Sequence, residues 1–527
     1  MGKIMRRYLH DLVRQSARDC TTATALTSGT TTLTYGELWQ HIKAVGAGLQ
    51  RLGLTRGDRV GIFLDKRIET VTGIFGTSAA SGVFVPINPL LRSRQVNYIL
   101  DDCDVRVLIT NKERYDLLRD GLVNLPALEH IVLINGIPTS ETNGGHRIHS
   151  WADLTSDSHA EPNETGLIDV DMAAIFYTSG STGNPKGVVI SHRNLICGAE
   201  SVASYLVNNP SDVILAALPL SFDAGFSQLT TGFGVGAQVV LINYLLPSDI
   251  VKACAKYGVT GLTCVPPLWI QVAELKWPEE VAQKLRYFAN TGGRMPRATL
   301  DKLRAIFTKA SPYLMYGLTE AFRSTYLDPS EIDRRPTSIG KAIPNAEILV
   351  VRPDGSICDA NEEGELVHRG ALVTLGYWND PERTAARFRP VPGRAKELKI
   401  PELAVFSGDA VIRDDEGFLY FVGRKDEMIK TSGYRVSPAE IEEVIYDTGM
   451  VRDAVAFGME DEAIGQVVVI AVSPPQNGTL DESALLAELR RQLPLYMIPH
   501  RVIIRDELPR SPNGKFDRTL LRSEIVA

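Results

Sequence analysis

The run Tyr177-Thr178-Ser179-Gly180-Ser181-Thr182-Gly183-Asn184-Pro185-Lys186-Gly187 decides how the rest of the chain is read. An apolar segment, Met172 to Phe176, leads into it and reads as a buried strand. Val188, Val189 and Ile190 follow, and Ser191 is placed to cap a helix from His192 onward. Glycines permit close backbone approach, N–H groups and hydroxyls donate to phosphate oxygens, and the Lys186 ammonium supplies charge. The pattern predicts a phosphate cradle. It is not a Walker A loop, in which Gly-Lys is followed directly by Ser or Thr.

Outward from this loop the chain alternates strands and helices. Thr34, with Glu37 three residues on, marks a capped helix whose apolar stripe is Leu38, Ile42, Val45 and Leu49, ending near Gly53. Apolar strands are expected at 59–64, 82–87, 106–110, 130–134, 214–218, 238–242, 261–265, 287–290 and 313–315. The fold class is therefore α/β, with a large N-terminal lobe of mixed, mostly parallel sheets covered by helices. Short strands near 348–351, 364–368, 404–406 and 418–422, separated by Asp-Gly and Glu-Gly turns, predict a small antiparallel, barrel-like unit. The charged run Arg424 to Glu427 reads as a linker. It divides residues 1–425 from a small mobile α+β domain, 426–527, with a helix at 438–446 and strands at 454–458 and 467–472.

A chain of 527 residues is too long for one hydrophobic core. Its 44% hydrophobic and 23% charged residues suit a soluble enzyme, and a net charge of −7 argues against nucleic-acid binding. Six cysteines without CxxC spacing fit reduced thiols in a cytoplasmic protein, and no apolar stretch reaches the roughly 18 residues of a membrane span. Residues 135–150 read as a surface loop, with His146 and His149 as loop histidines rather than metal ligands. Gly46 with Gly48, and Gly232, Gly234 and Gly236, miss the GxGxxG spacing and read as helix packing and a turn.

The 177–187 run resembles the signature loop of the adenylate-forming superfamily: acyl-CoA synthetases, luciferases and the adenylation domains of peptide synthetases. The similarity extends over nearly the whole chain. It implies that Thr178, Ser179, Gly180, Ser181, Thr182, Gly183 and Lys186 hold ATP phosphates. Tyr316-Gly317-Leu318-Thr319-Glu320 follows an apolar strand, so Thr319 and Glu320 should emerge at its carboxyl end, where open α/β sheets bind ligands. The resemblance puts Thr319 on the α-phosphate and Glu320 on Mg²⁺, and counts Tyr316 and Gly317 with the nucleotide site. Asn290-Thr291-Gly292-Gly293 looks like the adenine-site segment, and Asp409 and Arg424 match the positions that hold the ribose. Lys515, in Ser511-Pro-Asn-Gly-Lys515, resembles the superfamily's C-terminal lysine, which bridges the substrate carboxylate and the α-phosphate as charge develops. Asp426 matches the hinge. Lys430 and Gly433 match a segment that faces the site only after the small domain rotates, Gly433 leaving room for a pantetheine arm.

The acyl pocket departs from the commonest pattern. Where fatty and aryl acyl-CoA synthetases often carry His, this chain has Phe222, followed by Asp223. Phe-Asp-Ala resembles amino-acid-activating adenylation domains, in which this aspartate binds the substrate ammonium. The same register puts Asn290, Gly292, Met315, Arg323 and Ser324 in the pocket. Asp223 and Arg323 either bind complementary groups on the substrate or neutralise each other, because an unpaired buried charge of either sign is costly. The longer runs Leu220 to Thr231, Val265 to Gln271 and Tyr316 to Tyr326 are similar to AMP-forming acyl-CoA ligases associated with exosortase A systems. The resemblance implies an ATP- and Mg²⁺-dependent ligase that makes an acyl-adenylate from a small carboxylic acid, polar or amine-bearing. Thioester formation with coenzyme A follows. The alternative is an amino-acid adenylating enzyme that loads a carrier-protein phosphopantetheine.

Overall fold

The computed structural model describes residues 5–136, 145–157, 159–164, 166–178, 185–393, 397, 399–424, 428–475, 479–509 and 516–526, leaving aside the side chains of residues 424, 439, 443, 519 and 526. Ser179 to Gly183, Asp426 and Lys515 lie outside these residues, as does the side chain of Arg424.

Two sheets build the large lobe. In the first, Gln238–Leu241, Val213–Ala216, Gly261–Cys264, Tyr287–Asn290 and Ser311–Tyr316 run parallel in that order. Their carboxyl ends lie along one edge. The chain then reverses at Phe322, whose φ of +56° is a conformation that bulky side chains rarely adopt. Thr325–Leu327 therefore returns antiparallel beside Ser311–Tyr316. The expected antiparallel unit is hydrogen-bonded onto this edge, continuing through Ser338–Ala342, Leu419–Arg424, Leu403–Arg413, Glu363–Gly370 and Ala346–Val351.

The second sheet runs Gly376–Tyr377, Lys186–Ser191, Met172–Thr178, Val83–Pro86, Arg59–Phe63, Val105–Thr110, His130–Leu133 and Arg147–Ser150. The last strand corrects the expectation of a loop over 135–150 at its final four residues, while 137–144 lie outside the described residues. Arg147–Ser150 pairs parallel with His130–Leu133, and its polar composition hides a four-residue edge strand. His146, in the loop just before this strand, is a buried loop histidine, with its ring nitrogens against the carbonyls of Leu128 (2.5 Å) and Leu122 (2.8 Å). His149 meets the His130 ring at 2.9 Å, and no cluster able to hold a metal occurs among the described residues.

Helices fill the space between the sheets. Tyr35–Arg51 starts at the expected capping box, and Leu38, Ile42, Val45 and Leu49 are fully buried. Phe226, on the helix Asp223–Val235, packs on Phe75, Phe84 and Phe176 with ring centroids 5.2–6.3 Å apart. Each such ring contributes about 1.5–3 kcal/mol by leaving water. Gly48 serves helix packing, since a Cβ there would overlap the Leu154 carbonyl. Gly232 and Gly234 belong to the helix Asp223–Val235, and Gly236 alone forms its left-handed terminal turn.

The small domain has its own sheet, Tyr434–Val436, Ile429–Thr431, Gly465–Ser473 and Asp453–Asp461, with Arg501–Ile504 parallel to Gly465–Ser473. Pro438–Asp447 and Glu482–Gln492 help to enclose one core, and Leu521 of Arg518–Val526 packs into another with Val455, Phe457 and Val469. No described helix is long and apolar enough to cross a membrane.

Candidate active site

Met172–Thr178 and Lys186–Ser191 form the antiparallel arms of the opening motif, with Thr178 opposite Lys186. The edge strand Gly376–Tyr377 pairs with the Lys186 arm, placing Tyr377 opposite Val188. Glu320 lies in the 3₁₀ turn Thr319–Ala321, just beyond the parallel strand Ser311–Tyr316 of the other sheet. The two sheets meet at one carboxylate. Glu320 Oε1 accepts from Lys186 Nζ (2.8 Å) and from the Tyr377 hydroxyl (2.6 Å), while that hydroxyl accepts from Lys186 (2.8 Å). Glu320 is 2% exposed. Burial alone would raise its carboxyl, but Lys186, the Arg435 guanidinium and the hydrogen bonds from Lys186 and Tyr377 hold it well below the usual range. Thr374 donates to the Glu320 carbonyl through both its N–H (3.1 Å) and its hydroxyl (3.0 Å), fixing the turn.

The other nucleotide candidates lie on the same edge. The Tyr316 hydroxyl donates to Asp409 Oδ2, and Asp409 is buried opposite Arg424 in the strand register. Gly292 has φ +77°, which suits glycine, and Gly293 abuts Pro266 closely enough that a Cβ would lie 3.2 Å from its Cγ. Asn290 Nδ2 donates to the Gly293 carbonyl (2.8 Å), which ties this turn to its strand. A Cβ on Gly317 would lie 3.1 Å from Arg323 Cα, so that glycine lets the chain fold back on itself. The Thr178 hydroxyl is buried without a hydrogen-bond partner.

Asp223 and Arg323 face each other: Arg323 Nη1 donates to Asp223 Oδ2 at 3.1 Å. The two side chains are 15% and 3% exposed. Burial raises the Asp223 carboxyl above its ordinary range, and Arg323 opposes the rise. Phe222 caps the Asp223 helix, and its ring meets Tyr434 edge-on at 5.2 Å. Met315 accepts from the Tyr205 hydroxyl at 3.1 Å, and buried Ser324 shares a 2.9 Å hydrogen bond with His368.

The small domain presents the hairpin Ile429–Thr431/Tyr434–Val436 to this edge. Gly433, φ +82°, touches Val265, and Lys430 lies over the Phe421 ring (5.3 Å), itself packed near Tyr316. Three contributors have no local sequence signature. Tyr377 belongs to a two-residue strand, and Arg435 acts on Glu320 from the other domain. Lys66 Nζ donates to the carbonyls of Ala216 (3.0 Å), Ala217 (2.6 Å) and Leu218 (3.3 Å), pinning the segment that leads to Phe222.

Comparison with known proteins agrees with this arrangement. Residues 12–378 match the AMP-binding enzyme family, and residues 440–515 match the AMP-binding enzyme C-terminal domain. The chain belongs to the AMP-binding enzyme family. It is 30% identical to a long-chain-fatty-acid–CoA ligase of Escherichia coli O157:H7, covering 98% of this chain and 94% of that protein. It is 32% identical to an L-proline–[L-prolyl-carrier protein] ligase of Streptomyces coelicolor, covering 93% and 91%. A solved o-succinylbenzoate CoA synthetase from Bacillus subtilis superposes with TM-score 0.81 at 25% identity, covering 97% and 98%. The family member described here is an AMP-forming acid–thiol ligase.

Proposed function

We propose that this enzyme couples a small carboxylic acid to the thiol of coenzyme A through an acyl-adenylate. In the first step a carboxylate oxygen attacks the α-phosphorus of ATP, the bond to the β-phosphate breaks and pyrophosphate leaves. In the second the thiol sulfur attacks the acyl carbon, the bond to AMP breaks and the thiol proton is released. The observation that carries the reading is the buried Lys186–Glu320–Tyr377 cluster at the carboxyl edge of the parallel strands. There Lys186 meets phosphate charge and Thr319 the α-phosphate, with Asp409 and Arg424 on the ribose and Gly292 and Gly293 against the adenine.

Glu320 fits a Mg²⁺ ligand. It is a charged, buried carboxylate in no metal-holding cluster of three or more ligand residues among the described residues, and Mg²⁺ commonly takes one or two carboxylates and otherwise phosphates and water. Bound there, the ion would neutralise phosphate charge as it develops.

Lys515 serves the first step, and Lys430 with Gly433 serves the second, after rotation about Asp426 between domains 1–425 and 426–527. The hairpin's contact with Val265 and Phe222 supports the second-step posture. Asp223 and the carrier-protein ligase relative favour a second reading, amino-acid activation with carrier loading. The bond from Arg323 weighs against it, because a substrate ammonium would have to compete for Asp223. Six unpaired cysteines support a cytoplasmic setting, and the runs at 220–231, 265–271 and 316–326 support the subgroup associated with exosortase A systems.

ATP–pyrophosphate exchange over fatty, aryl, hydroxy, amino and dicarboxylic acids, followed by coenzyme A or carrier protein with the hits, tests the reading. Lys515→Ala should cripple exchange and spare thiolysis of supplied acyl-AMP. Unimpaired exchange in that variant, or acyl transfer to carrier protein alone, would overturn the corresponding assignment.

A further inference from the structure

Resting on the ligase reading above, we infer that the acid carries a neutral hydrogen-bonding group, a hydroxyl or an amide, remote from its reacting carboxylate. Val213–Ala216, Gly261–Cys264, Tyr287–Asn290 and Ser311–Tyr316 are neighbouring parallel strands whose carboxyl ends deliver Asp223, Asn290 and Arg323 to one edge. Three polar atoms there are buried without a hydrogen-bond partner: Arg323 Nε, Asn290 Oδ1 and Ser221 Oγ. The orientation of Asn290 is forced. The Gly293 carbonyl can only accept, so it must face Nδ2, which leaves Oδ1 unmet. Arg323 is 3% exposed and spends Nη1 on Asp223, leaving Nε–H as a donor with nothing to donate to.

Charge narrows the choice further. Asp223 and Arg323 already balance each other. An ammonium would have to pull Asp223 from Arg323, and a carboxylate would have to pull Arg323 from Asp223, each stranding a buried charge. An alkyl end would leave the unmet polar atoms dry. A neutral group with a lone pair satisfies Arg323 Nε, and one that also carries a proton can donate to Asn290 Oδ1. Length is limited behind Met315. Tyr205 donates to its sulfur and stacks on Tyr326 with centroids 4.2 Å apart, with Tyr313 alongside, so the side of Met315 facing these residues is packed with aromatic rings.

The test is ATP–pyrophosphate exchange with length-matched acids ending in methyl, hydroxyl, amide, ammonium or carboxylate, beside a long-chain fatty acid. The hydroxyl- or amide-ended acid should exceed its methyl analogue by about 30-fold or more in kcat/KM. Arg323→Met, which leaves the Asp223 carboxylate unpaired, should shift the preference toward the ammonium-ended acid. The double variant Asp223→Asn/Arg323→Met should lose both preferences, with thermal unfolding checking that each variant folds. If a variant does not fold, the ranking of acids by the unmodified enzyme decides. Vigorous exchange with methyl-ended, long-chain or charged acids ahead of the neutral polar ones would overturn the inference and leave the ligase reading intact. No exchange and no acyl-AMP with any acid would overturn both.

Discussion

Replacing Gly433 with alanine should separate the two half-reactions. Its φ of +82° costs an alanine roughly 1–2 kcal/mol, a strain local to the hairpin and present wherever the small domain sits. The docked posture adds a second cost. A Cβ on Gly433 would lie 2.9 Å from Val265 Cγ2, 3.1 Å from its Cβ and 3.2 Å from its Cγ1. Valine is stiff at χ1, and Val265 leads directly into the helix Pro266–Ala273, so neither side chain nor backbone yields easily. Overpacking of this kind costs about 1–3 kcal/mol. At about 1.4 kcal/mol per tenfold, thiolysis of preformed acyl-AMP by coenzyme A should fall about 5- to 150-fold. ATP–pyrophosphate exchange should change little. Adding Val265→Ala to Gly433→Ala removes the methyl groups in conflict and should restore most of the thiolysis, with Val265→Ala alone as the control. Equal losses in both half-reactions, or no rescue by Val265→Ala, would refute the idea that this contact defines the second-step posture.

Two further outcomes follow from the geometry. Tyr377→Phe removes the hydroxyl that donates to Glu320 and accepts from Lys186; at about 1.5–3 kcal/mol for a hydrogen bond to a charged group, exchange should drop about 10- to 150-fold with the fold intact, and unchanged exchange would remove Tyr377 from the site. Burial alone would raise the Glu164 carboxyl, but His10 (3.1 Å) and Arg14 (2.8 Å) pull it down to about 2, against an ordinary value of 4.5. Its contribution, about 1–3 kcal/mol, is therefore complete above about pH 4.5 and lost as the pH falls toward about 2. Urea unfolding should show Glu164→Gln less stable at neutral pH and the gap closing through that window; a gap independent of pH would be inconsistent with the linkage.

The parts legible in the sequence are those with a local period or a dense motif. The Thr34–Glu37 box, the stripe from Leu38 to Leu49 and the apolar strands on both sides of the 177–187 loop each announce themselves within a dozen residues. Lys186, Glu320 and Asp409 were identifiable because motifs surround them. Tyr377 was not, since a two-residue strand has no periodicity and its position depends on pairing with the distant Lys186 arm. Lys66 is equally hidden: its carbonyl partners lie about 150 residues downstream, and a lysine after a strand ordinarily points into water. The identities of Asp223 and Arg323 were readable and their pairing was one of two alternatives; choosing between them took the reversal at Phe322 that brings them together.

That dependence on long-range pairing bears on why the central ion pair exists at all. A buried salt bridge is a poor stabilising device, because desolvation consumes most of the attraction. Lys186 and Glu320 nonetheless come from different sheets and meet at 2.8 Å, with Tyr377 hydrogen-bonded to both. Under the proposed function the arrangement has a use. Without phosphates each charge satisfies the other, so neither is left unpaired in the buried site. When anionic phosphates enter, Lys186 has a new partner and Glu320 is released toward a cation. The Arg435 guanidinium, on the small domain's hairpin, favours the ionised form of the same carboxylate through its charge. The glutamate would thus keep a positive partner throughout: Lys186 and the nearby Arg435 before nucleotide enters, and the cation that accompanies the phosphates, with Arg435, once it has entered. Under that reading, overlapping partners would let one buried carboxylate serve both half-reactions without being left uncompensated.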